Sequence, residues 1–91
     1  MSRKKPHLTK RDSPDFRPLG RRLRELRGFD LTQGELAKEL GISQSQLSKY
    51  ERGVAAPPAD ILFYIKQRFD VSIDWLLTGE GLKESALHKN S

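Results

Sequence analysis

GISQSQLSKY, residues 41–50, is half serine and glutamine, a composition that elsewhere marks a flexible linker. Yet Ile42, Leu47 and Tyr50 lie within it and Leu40 precedes it, and a linker has no use for apolar residues at those spacings. Gly41 supplies the left-handed backbone of a sharp turn, and Ser43 is a helix N-cap with Gln46 as its reciprocal partner. The spacing predicts a helix over about 44–52, stopped by Gly53. At about 100° per residue, Leu47 and Tyr50 share one direction, and Gln44, Ser45, Ser48 and Lys49 stand around the opposite one. Glu51 lies nearer the core side.

Working outward, Thr32 and Glu35 form a capping box for a preceding helix whose apolar face is Leu36, Ala37 and Leu40. Two helices joined by a tight turn at Gly41 make a helix-turn-helix. Ala37 sits where the helices cross and only a small side chain packs closely, while Ile42, Leu47 and Tyr50 fill the space between them. Upstream, Leu19, Leu23 and Leu26 recur at helical spacing from Pro18 to Gly28, with Arg21, Arg22, Arg24 and Arg27 interleaved. Downstream, VAAPP (54–58) is a loop. The run from Asp60 to Phe69 is apolar on most sides, so its helix is expected to be largely buried. Ser72 caps a short fifth helix through Leu77. The expected fold is all-α, a compact bundle of four to five short helices. Residues 1–17 form a flexible basic arm, 18–81 the helix-turn-helix domain, and 82–91 a C-terminal tail.

Charge is unevenly placed. Residues 1–27 hold ten Lys and Arg against three carboxylates, a net +7, while residues 28–91 carry a net −2. That asymmetry suits an anionic partner, nucleic acid first, with a merely solubilising tail as the alternative. The outward face of the third helix sharpens the choice. It uses serine twice, at some loss of helix propensity, and carries no carboxylate. Small hydroxyls allow close approach, and Gln and Lys match base edges in a major groove. Gln44 suits adenine; Lys49 suits guanine or a phosphate.

The absence of cysteine excludes disulfides and thiolate metal sites and fits a reducing cytoplasm. His7 and His88 have no ligand-like spacing, so no metal or other cofactor is expected. No nucleophile–base pair or phosphate loop supports an enzyme. No apolar run reaches the length of a membrane span.

The runs LGRRLRELR (19–27), LTQGELAKELGISQSQLSKYERG (31–53) and VSIDWLLTGEG (71–81) closely resemble the phage-repressor and Cro-like (XRE) helix-turn-helix family. The resemblance implies a transcriptional regulator, expected to be a repressor of bacterial or phage type acting at the nucleoid and bound to double-stranded operator DNA. It implies base contacts from Gln44 and Ser45 at the start of the recognition helix, with Lys49 one turn on and Ser48 beside them. It implies a phosphate on Gln33, backbone bonds from Ser43 or Gln46, and an ion pair of Arg27 with Glu51 joining the first helix to the third. Two departures stand out. The turn Gly28-Phe29-Asp30 is one residue short, leaving Phe29 in an unusual place. The 54–58 loop lacks the basic residues that often grip the backbone, so the arm, or Arg21, Arg22 and Arg52, must supply that grip. Ile73, Trp75, Leu76 and Leu77 crowd one short helix and are candidates for a dimer contact on a pseudo-palindrome, a lid over the core being the alternative. A second reading is an antitoxin-like protein that binds a protein partner and autoregulates through the same motif.

Overall fold

The computed structural model describes residues 14–84; most of the basic arm and residues 85–91 lie outside the described residues. Five helices follow in order: α1 (Arg17–Arg27), α2 (Gln33–Leu40), α3 (Gln44–Arg52), α4 (Ala59–Phe69) and α5 (Ile73–Thr78). Each of α2, α3 and α5 begins where a Thr or Ser hydroxyl accepts the third amide of its helix: Thr32 from Glu35, Ser43 from Gln46, Ser72 from Trp75. The Thr32–Glu35 box closes in both directions. At Ser43 only the hydroxyl half forms, because the Gln46 side chain makes no return bond to the Ser43 amide. Gly41 ends α2 at φ 74° and ψ 27°, and the Ile42 amide reaches back to the Ala37 carbonyl at 3.0 Å.

The first helix starts one residue earlier than Pro18, so Arg17 belongs to the folded domain rather than the arm. The Arg17 guanidinium and then its backbone amide bond the Asp15 carboxylate, which holds this acid down to about 2 from its ordinary 3.8. Its contribution is therefore complete above the ordinary value and disappears as pH falls through the depressed one. Asp15→Asn should flatten the loss of thermal stability between about pH 4 and pH 2, measured by melting at several pH values.

Leu19, Leu23, Leu36, Ala37, Leu47, Tyr50, Ile61, Ile65 and Leu76 form one core, drawn from all five helices. Its most extensive helix contact is α1 on α3. That contact needs Gly20: a Cβ there would stand 2.6 Å from the Tyr50 carbonyl oxygen and closer still to that of Glu51. On the same side a Cβ on Gly53 would strike the Arg17 backbone, also at 2.6 Å.

The expectation of a largely buried α4 is corrected. Only Ile61 and Ile65 are buried, whereas Phe63 is 57% and Tyr64 38% exposed. The helix touches the bundle along one side, and being apolar all round does not create a second surface to pack against. Instead, Tyr64 Oη and Arg68 Nε donate to Glu39 Oε1, at 3.2 and 2.9 Å, tying α4 to α2.

Two further corrections concern the C-terminal end. Leu76 is fully buried in the core and is not a dimer contact; Ile73 and Trp75 are half-buried, and Leu77 is exposed. Residues 82–84, assigned to the tail, fold back. Val71 bridges Glu84, the Ser72 amide donates to the Lys83 carbonyl at 2.8 Å, and the Ser72 hydroxyl donates to that of Leu82 at 2.8 Å.

Candidate nucleic-acid interface

Gln33 and Gln44 are the first residues of α2 and α3, each directly after its N-cap. The tight turn brings these two helix starts together, and their side chains meet. Gln44 Nε2 donates to Gln33 Oε1 at 3.3 Å, and Gln33 Nε2 donates to Glu51 Oε1 at 3.0 Å. Glu51 is clamped from the other side by Arg27, whose Nε and Nη2 bond the two carboxylate oxygens at 2.8 and 2.9 Å. Arg27 also donates to the Leu31 carbonyl at 3.2 Å. The Glu51 side chain is 4% exposed, so the sole carboxylate of α3 is both hidden and neutralised. Hydrogen bonding to Glu51 raises the Arg27 pKa still higher, so the guanidinium remains charged at any pH of interest.

With Glu51 withdrawn, the outer face of α3 presents neutral and cationic groups alone. Gln44, Ser45 and Lys49 are exposed and Ser48 is half-buried, its hydroxyl accepting from Arg52 Nε at 3.1 Å. Ser43 is exposed but its hydroxyl already accepts the Gln46 amide. The 54–58 loop offers an exposed Val54 and no charge.

The arginines of α1 divide. Arg21 faces solvent and, with Arg24, Phe29 and Gln33, lines a cleft of about 760 Å³ beside the start of α2. Arg22, expected among the phosphate contacts, points the other way. Its Nε and Nη2 bond the Leu76 and Leu77 carbonyls at 2.8 and 3.0 Å, closing the end of α5. It stands 5.9 Å from the Trp75 ring centre, with Lys83 Nζ 5.2 Å from the same ring. Both faces of α1 carry arginine, so spacing alone does not separate the one that binds α5 from the one left free. Phe29, expected in an unusual place, is fully exposed at the short turn.

Sequence reading also missed the link from Gln33 to Gln44. The signal was present, since both glutamines occupy the position after an N-cap in helices joined by a tight turn.

Two helices at a Gly41 turn, the second offering a carboxylate-free polar face, define a helix-turn-helix domain. A family model described as helix-turn-helix matches residues 21–76. The chain belongs to the XRE-type helix-turn-helix family. It is 44% identical over 62 residues to the HTH-type transcriptional activator BcrR of Enterococcus faecalis, covering 67% of this chain and 30% of that one. It is 40% identical over 55 residues to the antitoxin PezA of Streptococcus pneumoniae, covering 59% of this chain and 35% of PezA. The chain thus spans about a third of the length of these curated relatives. The fold resembles that of the P22 c2 repressor solved with synthetic operator 9T, with a TM-score of 0.62 and 30% identity, covering 68% of this chain and 96% of that one.

Proposed function

We propose that this chain is a sequence-specific DNA-binding regulator of transcription, acting as a repressor and reading the major groove with α3. The observation that carries this reading is the outer face of α3. Gln44, Ser45 and Lys49 project from it, Arg52 at its far end donates back to the half-buried Ser48, and its one carboxylate is locked inward by Arg27. A helix that served only to cover the core would gain from exposed Glu–Lys pairs; this one is arranged to approach an anionic surface closely. The likeness to a repressor solved on operator DNA supports the same reading.

Gln44 and Lys49 are proposed as the base readers with Ser45 and Ser48 beside them; Gln33, Ser43, Gln46, Arg21 and Arg52 serve the backbone. Two copies on a pseudo-palindrome would place two recognition helices one DNA turn apart. Leu77, with half-buried Ile73 and Trp75, is the surface available for that pairing.

Selection of bound sequences from a random DNA pool tests the proposal, and the symmetry of the winners reports the dimer. Gln44→Ala and Lys49→Ala should each lose about 1–3 kcal/mol of discrimination at one base position. Unchanged preference and affinity in both variants would refute the assignment of α3.

The match to PezA favours one alternative, an antitoxin-like chain that holds a protein partner and uses the same motif to control its own synthesis. Stable co-purification of a second protein from the native host would favour it.

A further inference from the structure

We propose that the cleft between α1 and the start of α2 is a docking site for an acidic segment of a protein partner, with Phe29 as its apolar anchor and Arg21 and Arg24 as its charge contacts. The docking stands apart from the DNA-binding reading above; only its consequence for DNA rests on that reading.

Phe29 is the most exposed large apolar side chain among the described residues, at 105%. Its place is set by the backbone. Gly28 ends α1 at φ 66° and ψ −154°, a conformation open essentially to glycine alone, and its amide donates to the Arg24 carbonyl at 3.2 Å. The short turn therefore holds the ring in solvent, where its apolar surface stays hydrated. Rigid aromatic rings and arginines are the side chains that dominate contacts between proteins, and here they stand together.

Arg21 and Arg24 share one face of α1 and line the cleft with the ring. Among the described residues neither forms an ion pair, whereas Arg17, Arg27 and Arg68 each hold a carboxylate. Arg27 lines the cleft too, but its guanidinium is committed to Glu51. The uncommitted charge of the cleft is thus Arg21 and Arg24 against the carboxylate of Glu25 in its wall.

Two free cations call for an anion, and the ring decides which kind. A nucleic-acid backbone carries charge of one sign only, so it would meet Glu25 and the exposed Asp30 beside Phe29. A small anionic molecule is also a poor match. Pockets for such ligands enclose most of the ligand surface, and a ring standing fully in solvent makes no wall. A polypeptide satisfies both features. Its carboxylates pair with the arginines, an aromatic or aliphatic side chain covers Phe29, and its own bulk keeps water from the contact. Gln33 lines the same cleft. A partner seated there covers this phosphate contact, so partner and operator compete.

The test selects peptides from a displayed random pool on the full chain and measures each winner by fluorescence anisotropy. Winners should be rich in Asp and Glu around an aromatic residue or leucine. Phe29→Ala alters a side chain outside the core, so melting temperature and DNA affinity should match the parent. It should weaken the winning peptides by about tenfold. Phe29→Trp should bind them to within about twofold of the parent, because it keeps a large rigid ring. A duplex of the selected DNA sequence should displace a bound winner.

Winners without acidic residues overturn the docking site. So do acidic winners that bind Phe29→Ala as tightly as the parent, since attraction between opposite charges then explains them. Weaker DNA binding by Phe29→Ala would assign the cleft to the operator, and loss of self-association would assign it to a second copy; either overturns the inference. A peptide that stays bound when DNA is added overturns the competition. A chain that selects no DNA sequence yet keeps Phe29-dependent peptides overturns the DNA-binding reading and leaves the docking site standing.

Discussion

Gly20→Ala should cost about 3 kcal/mol of stability, a large fraction of the ~5 kcal/mol to be expected of so small a domain. The added methyl would stand 2.6 Å from the Tyr50 carbonyl oxygen and nearer still to that of Glu51. Both obstacles are backbone atoms in the last turns of α3, so no rotamer change relieves the clash. Either α1 must lift from α3 or the end of α3 must unwind. Helix propensity runs the other way, because alanine in a helix interior gains about 1 kcal/mol over glycine. The contest is decided by magnitude, and the contact wins. Urea denaturation of parent and variant measures the difference. A variant as stable as the parent would show that α1 and α3 do not approach so closely.

Glu51→Ala is the second large effect. Arg27 and Glu51 are 15% and 4% exposed at their side chains, and Arg27 is anchored between the carboxylate and the Leu31 carbonyl. Removing the carboxylate strands a mostly buried guanidinium and frees the Gln33 amide, at a cost of about 3–5 kcal/mol. The double variant Arg27→Met, Glu51→Leu should recover much of that loss, since replacing a buried pair with apolar groups of similar size is often close to neutral. Denaturation of the single and double variants separates the two effects. Equal instability in both would mean that lost packing, rather than an orphaned charge, dominates. The exposed pair of Glu39 with Arg68 offers a contrast. Bonding from Arg68, then from Tyr64, lowers the Glu39 pKa, but this carboxylate stands in solvent, where such pairs contribute little.

These expectations differ in how far they could be reached from the chain alone. The motif was legible because local chemistry dictates it. Thr32, Ser43 and Ser72 each cap a helix, Gly41 and Gly53 adopt the left-handed backbone that ends one, and Leu36, Ala37, Leu47 and Tyr50 fall on the buried side. Such signals act within a few residues and need no knowledge of the rest. The inward placement of Glu51 was legible too, from its angle on α3 beside Leu47.

Burial in α4 was misread for the opposite reason. Phe63 is as apolar as Ile61 and Ile65, but burial requires a neighbour, and only one side of α4 has one. Leu76 and Leu77 are adjacent and chemically identical; one fills the core and the other faces solvent.

The sequence by itself determined the helices, the turn at Gly41 and the polar face of α3, because caps, glycines and periodicity act locally. Tertiary structure alone decided which arginine closes α5 and which stays free, and where the chain from 82 to 84 returns. It also joined Gln44 to Glu51 through Gln33. Those outcomes depend on the directions of side chains from elements far apart in the chain, which periodicity along one helix does not encode.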